Sequence, residues 1–294
     1  MALDLADAAP GSTIISLEGS TDAVRVAWPR AANAKSDVIA LGAPEGFSPQ
    51  LVWKLAGVLR RLKPSGVVLH HIGPLIYGAL AARLVGTKPI IHVEHDVWHY
   101  SRNARNAALS RLIERVAKPH HVCLSQSATR TVAETLQTGR IHVVRTGIDT
   151  TRFEIPGHAQ KNAARAPFGI APDAIVFGTV SRLVALKGHG LLLDAVAGLQ
   201  AAVGRPVRVL IVGDGPERTG LEVRVNADAE LAPLVHFAGH RDDIGTCLQA
   251  MDVFCLPSLN EGTPRSVLEA QATGVPVIAS NVGAVDECLE PTLN

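Results

Sequence analysis

Eleven short runs rich in β-branched residues alternate with longer segments whose apolar residues recur every three or four positions, and this alternation constrains the chain more than any other feature. Parallel neighbouring strands need a crossover, ordinarily a helix, so the pattern predicts β-α units around parallel sheets and an α/β fold. The runs fall into two series. The first comprises STIISL (12–17), DVIAL (37–41), GVVLH (66–70), KPIIHV (88–93), HHVCLS (120–125) and IHVV (141–144). The second comprises AIVFGTV (174–180), VRVLIVG (207–213), LVHFAG (234–239), DVFCLP (252–257) and VPVIAS (275–280). Between them, SPQLVWKLAGVLRRLK, LLLDAVAGLQAAV and SVLEAQATG carry the helical period.

The stretch from Gly147 to Asp173, rich in Gly, Pro and Ala, has no strong period and separates the two series. It divides the chain into expected domains 1–148 and 149–294. With 294 residues, 47% of them hydrophobic, there is apolar material for two cores. A cleft between two doubly wound sheets is the expected outcome, with ligands at the carboxyl ends of the strands. Both ends read as truncated: Met1 opens directly on the helical pattern MALDLADAA with no strand before it, and VDECLEPTLN stops soon after a strand.

A net charge of +1, from 28 Lys and Arg against 27 Asp and Glu, creates no global field, so nucleic acid is not expected as a partner. Cys123, Cys247, Cys255 and Cys288 show no C-x-x-C spacing and read as reduced, buried thiols. The apolar segment IGPLIYGALAARLV is about 14 residues long and contains Arg83, too short for a membrane span. The start MALDLADAAPGST lacks the basic and apolar regions of a secretory signal, so a cytoplasmic protein is expected. The helix LVWKLAGVLRRLK pairs Lys54, Arg60, Arg61 and Lys63 with Trp53, which leaves open a peripheral contact with the inner face of the membrane.

The segment EGTPRSVLEAQATG carries the most chemistry. Thr263 is the expected N-cap and Pro264 the first helical residue, so free N–H groups and the positive dipole end would follow Glu261 directly and suit phosphate oxygens. At a helical rise Glu269 falls ~12 Å further on, which would let one carboxylate meet a sugar and the other a ribose. Arg182 and Lys187, in SRLVALKGH after a strand, could neutralise a diphosphate. Each of these features alone is also what a solvated helix face or loop looks like. In VGDGPER, Gly213 and Gly215 permit close backbone approach, but Arg218 replaces the third glycine of G-x-G-x-x-G, against a dinucleotide site. No P-loop signature and no G-x-S-x-G occurs. In IHVEHDVWHY, His92, His95 and His99 lack H-E-x-x-H spacing, so no metal site is expected, and a single His at the strand's end is the better functional candidate. His70 and His71 read as core or rim packing.

Taken together, VEHD, TGIDTTRF, VSRLVALKGHGLLLDA, LIVGDGPER, VHFAGHRDDI and DVFCLPSLNEGTPRSVLEAQATGVPVIASNVG resemble the family 4 retaining glycosyltransferases, also called group 1, which have the two-domain GT-B fold. The resemblance implies an acceptor-side domain followed by a nucleotide-sugar donor domain. It implies Glu261 on donor-sugar hydroxyls, Glu269 on the ribose, Arg182 and Lys187 on the diphosphate, with Gly262 and Thr263 also at the donor, and His95 beside the reacting centre. Catalytic roles thus fall to His95 and Glu261. The implied reaction moves a hexose from a UDP- or GDP-sugar to a hydroxyl of a glycan or lipid-linked acceptor, as in polysaccharide biosynthesis, with no cofactor and no required metal. Two alternatives remain: a fragment that binds nucleotide sugar without transfer, and a UDP-sugar epimerase. The sequence departs from the family in lacking its opening strand and glycine-rich loop and its last β-α units, and in reading Arg145-Thr146-Gly147-Ile148-Asp149 where Pro-Asn-Gly-Ile-Asp is usual.

Overall fold

Each of the eleven expected runs forms a strand in the computed structural model, which describes residues 2–27, 36–44, 46 and 48–289. The strands are β1 (Thr13–Ser16), β2 (Asp37–Ala40), β3 (Val67–His70), β4 (Ile90–Glu94), β5 (His120–Cys123), β6 (Ile141–Val143), β7 (Ile175–Val180), β8 (Val207–Val212), β9 (Val235–Gly239), β10 (Val253–Leu256) and β11 (Val277–Ala279). Among the described residues every strand pairing is parallel. Met1 and residues 290–294, the two chain ends read as truncated, lie outside the described residues.

The chain forms two compact units, Met1–Leu124 with Ala128–Val144, and Ser125–Ser127 with Arg145–Asn294. The change of unit at Val144/Arg145 comes before the 148/149 division read from the sequence.

In the first unit, β3 to β6 lie side by side in chain order, while β1 and β2 pair only with each other. The single strand series read from the sequence is therefore split into two sheets among the described residues. What joins them is packing: Leu51, Leu55 and Leu59 of the helix Gln50–Leu62 share one core with Ile15, Ile39 and Leu41 and with Leu69 of β3. The helix Ile72–Val85, the segment too short to span a membrane, buries Leu75, Ala79, Ala81 and Ala82 completely in that core. No described helix is long and apolar enough to cross a membrane.

In the second unit the strand order is β11-β10-β7-β8-β9. The chain winds outward from β7 in one direction through β8 and β9, then crosses back to place β10 on the other side, which makes β7/β10 the topological switch point. β8 shows why these runs are apolar throughout. Val209 and Ile211 enter one core with Leu192, Leu193 and Leu221, whereas Leu210 and Val212 enter another with Phe254, Leu256 and Val267. A parallel strand covered by helices on both faces has no polar side to show.

The expected helix over LLLDAVAGLQAAV is interrupted. It forms His189–Val196 and Leu199–Val203, with Gly198 at φ 76 between them, because a left-handed residue cannot continue a right-handed helix. The segment after the domain division is tied down by Arg165, a buried residue at the end of the helix His158–Arg165. Its guanidinium donates to Asp252 Oδ2 (2.6 Å) and to the carbonyls of Ala250 (3.1 Å) and Pro172 (2.7 Å). The four cysteines are buried, free thiols. Burial pushes Cys123, Cys255 and Cys288 up to about 11, so they pack as small hydrophobes.

Candidate functional site

The loops that follow β7 and β10 meet at the switch point of the second unit, and the charged residues singled out in the sequence lie on them. Lys187, in the loop after β7, places its Nζ 2.6 Å from Glu261 Oε1, in the loop after β10. The pair is well shielded, with side chains 19% and 6% exposed. Ser258, buried and three residues before Glu261, donates its hydroxyl to the same carboxylate oxygen at 2.6 Å. Arg182 lies on the Lys187 loop, is exposed, and forms no ion pair among the described residues. The neighbouring buried histidine, His189, holds Ser181 Oγ at 2.9 Å through Nε2. Burial, reinforced by the Lys187 charge, lowers its pKa to about 4, which keeps the ring neutral.

Backbone contact fixes the relative placement of these loops. Gly213, at φ 135 after β8, has the position of its absent Cβ 1.9 Å from the Ser181 carbonyl oxygen, so the close approach expected of VGDGPER is made to the Arg182 loop. Gly283, at φ 61 after β11, would place a Cβ 1.8 Å from the carbonyl oxygen of Glu261. Neither position admits a side chain. Arg218, where a third glycine would stand, opens the helix Arg218–Ala227 and pairs with Asp214 (3.0 Å) and Glu222 (2.8 Å).

The helix after Glu261 starts one residue later than expected. It runs Arg265–Ala272, its N-cap is Pro264 at φ −73 and ψ 106, and no side chain caps it. Thr263 is therefore not the cap, and Pro264 is not the first helical residue. Proline's fixed φ suits the extended N-cap as well as the first turn, and its missing N–H leaves nothing unsatisfied in either place. Gly262 and Thr263, half-buried, form the non-helical link, so the spacing of Glu261 from Glu269 is not a purely helical rise. Burial raises the Glu269 carboxyl above its usual range, against the pull of Arg265 and Arg152.

In the first unit, His95 follows β4 directly and meets both residues that end GVVLHH. His70 Nδ1 lies 2.9 Å from His95 Nε2, and the ring of His71 stacks on that of His95 at 4.5 Å between centroids. His71 holds φ 68 and ψ 170, an extended positive-φ conformation that a non-glycine residue adopts at some energetic expense. The rim around His95 is thus where His70 and His71 belong. Burial, with the neighbouring His71 and His70, lowers His95 to about 4, and burial with His71 lowers His70 to about 4. His95 is therefore a neutral ring at neutral pH, with its Nε2 engaged by His70. His92, by contrast, points into the core: it is 0% exposed and its Nδ1 lies 3.2 Å from His121 Nδ1. It shares no ligand set with His95, and no group of metal-binding side chains occurs among the described residues.

Glu94, in VEHD, precedes His95 and is not singled out by the sequence pattern. Burial raises its pKa to about 7, while Tyr100 donates to its Oε2 at 2.9 Å and His99 Nε2 lies 3.7 Å away. Ser258 was likewise passed over, although Ser-x-x-Glu spacing marked the hydroxyl and carboxylate as potential partners.

Parallel Rossmann-like sheets with cations and carboxylates at a switch point define a class of α/β proteins that bind phosphorylated ligands at strand ends. Sequence and structure comparisons narrow the class. Residues 11–152 match the family described as Glycosyltransferase Family 4, and residues 174–294 the family described as Glycosyl transferases group 1. The chain belongs to the family 4 glycosyltransferases and has the GT-B fold. It is 29% identical over 239 residues to the UDP-Gal:alpha-D-GlcNAc-diphosphoundecaprenol alpha-1,3-galactosyltransferase of Escherichia coli, covering 79% of this chain and 61% of that protein. It is 32% identical over 250 residues to the 2-deoxystreptamine glucosyltransferase of Streptomyces kanamyceticus, covering 77% and 62%. The chain thus spans about three-fifths of the length of each of these two relatives. Among solved structures, Anabaena HepE in complex with UDP superposes with a TM-score of 0.79 at 21% identity, over 98% of this chain and 78% of that one.

Proposed function

We propose that the chain transfers a hexose from a nucleoside-diphosphate sugar, with retention of anomeric configuration, to a hydroxyl of a glycan or lipid-linked acceptor. The observation that carries this reading is the shielded Lys187–Glu261 pair at the β7/β10 switch point, flanked by exposed Arg182. In the proposed complex Lys187 and Arg182 neutralise the diphosphate, Glu261 accepts hydrogen bonds from sugar hydroxyls, and Glu269 accepts them from the ribose. Negative charge grows on the departing phosphate oxygen as the glycosidic bond breaks, so cations already fixed in place lower the barrier. Gly262 and Thr263 offer the backbone leading into the helix Arg265–Ala272 to the same phosphates. His95 stands by the acceptor in this reading, with Nδ1 as the free ring nitrogen. The donor is a substrate, and no cofactor or metal is assigned a step.

UDP is favoured as the leaving group because HepE is a complex with UDP and the E. coli relative is named for UDP-Gal. Titration calorimetry with UDP and GDP tests the site. Lys187→Ala should weaken UDP by about tenfold or more through loss of a charge-assisted contact. Equal UDP binding by wild type and Glu269→Ala would remove Glu269 from the ribose role. Because the chain spans 61% of the E. coli relative, binding and transfer are separate outcomes: UDP bound without transfer would support the nucleotide-binding fragment. Conversion of donor in the absence of acceptor would support the epimerase.

Action at the inner face of the membrane belongs to the same proposal. The helix Gln50–Leu62 exposes Trp53 (64%) and Leu62 (41%) beside Arg60, Arg61 and Lys63, a combination suited to an anionic lipid surface. Sedimentation with anionic vesicles, compared between wild type and Trp53→Ala, tests it.

A further inference from the structure

A second polar centre lies in the first unit at the amino ends of its strands, opposite the end that carries His95. The helices Ala104–Ala117 and Gln126–Leu136 both finish there, beside the start of β5. Their last turns border a cavity of about 290 Å³ lined by Arg111, Arg115, Lys118 and Arg140 around one carboxylate, Glu114, with Leu136 on its wall. That volume falls at the small end of ligand sites, which run from roughly 300 to 1,000 Å³. The lining is charged, so the site suits a compact ion better than an apolar molecule.

Part of this cluster is structural. Arg111 Nε donates to the Thr135 carbonyl at 2.7 Å, as a cation at a helix carboxyl end does. Arg140 Nη2 pairs with Glu114, whose other oxygen accepts from His121 Nε2 at 3.0 Å. Burial opposes the Glu114 charge, but the hydrogen bonds from His121 and Thr138 and the Arg140 charge hold it ionised. Each helix carboxyl end contributes about half a negative charge. With Glu114 these ends offset about two of the four cations, and about two positive charges remain. Arg115 and Lys118 are exposed and have no carboxylate partner among the described residues. Arg140 Nε is buried and lacks a hydrogen-bond partner among the described residues.

We propose that this cavity binds a phosphate-class dianion, a phosphate monoester or diphosphate, separately from the nucleotide-sugar site of the second unit. The surplus charge matches a dianion, with Arg115 offering a forked guanidinium and Arg111 and Arg140 the N–H groups not already given to Thr135 and Glu114. The same phosphate-monoester chemistry occurs free in solution and on lipids such as phosphatidic acid.

Titration of the full chain with inorganic phosphate and pyrophosphate at low ionic strength tests the site, followed by calorimetry and by the ring resonances of His121, which shares Glu114 with Arg140. The test variant combines Arg115→Ala with Lys118→Gly. Lys118 holds φ 52, which glycine adopts without strain, so the backbone is preserved while two charges are removed. The expected result is saturable binding that shifts His121, persists in Lys187→Ala, and weakens by about tenfold or more in the double variant at unchanged thermal stability. Capture on vesicles containing phosphatidic acid, whose headgroup is a phosphate monoester, reversed by phosphate and lost in the double variant, would identify a lipid headgroup as the source. Binding that is non-saturable, or equal in wild type and the double variant, overturns the proposal. Binding lost in Lys187→Ala alone also overturns it and assigns the phosphate to the donor site.

Discussion

Lys187 and Glu261 are each other's charge partner, so each holds the other in place. Removing Lys187 leaves a carboxylate 6% exposed with Ser258 as its remaining donor. Lys187→Ala should therefore lower stability by about 2–3 kcal/mol in urea unfolding, somewhat less than for a fully buried pair because Lys187 retains some water contact. Adding Glu261→Gln should restore much of the loss, since the stranded charge is then gone. Glu94 offers a second test at a single residue. Its carboxyl is raised from 4.5 to about 7, so the folded state binds its proton more tightly than the unfolded chain. Folding stability is then highest below about pH 4.5 as far as this group is concerned, and declines as pH rises toward 7. Glu94→Gln should raise the unfolding free energy by about 2–3 kcal/mol at pH 8, with the gain disappearing near pH 4.5. A gain independent of pH would contradict a neutral Glu94 in the fold.

At the scale of elements, the second unit works by nesting loops at the carboxyl edge of its sheet, and glycine makes the nesting possible. Gly283→Ala would force a methyl group against the Glu261 carbonyl at a left-handed φ of 61. The expected effect is a loss of about 1–3 kcal/mol together with weaker binding of the intact UDP-sugar, because Glu261 is the residue displaced. An alanine variant with wild-type stability and UDP-sugar affinity would show that this contact does not position Glu261. Elements were also where the sequence reading was strongest. All eleven strands formed where β-branched runs predicted them, because a two-faced parallel strand leaves an unmistakable apolar run. Helix ends were less legible: Gly198 broke one helix and Pro264 moved the start of another, since a cap is decided by backbone angles that neighbouring loops impose.

The two units differ in what acid does to them. His70 and His95 are held near 4 and His92 well below its ordinary 6.5, all three foremost by burial and all in the first unit. Each contributes stability that is complete above about 6.5 and is lost as pH falls toward 4, while Glu94 returns part of it over a similar range. In the second unit His189 is likewise held near 4 and His236 is lowered, both foremost by burial, but Asp252, against its burial, is held below 3.8 by Lys161, the Val176 amide and Arg165 and keeps its anchoring role to lower pH. Hydrogen exchange at pH 5 should therefore show amides of β3 to β5 exchanging faster relative to pH 7.5, after correction for intrinsic rates, than those of β7 and β8. Equal change in the two units would contradict this account.

The order of apolar and polar residues was enough to determine the α/β class, the two strand series, and the segments bearing Arg182, Lys187, Glu261 and Glu269, because burial on both faces of a sheet is a property of local composition. Folding in three dimensions decided which of those groups touch. Lys187 reaches Glu261, 74 positions further along the chain, and His70 reaches His95 only because β3 and β4 are neighbours in one sheet. A side chain's partner depends on strand order and loop geometry, and those are set by the whole packing of a unit rather than by any stretch of its sequence.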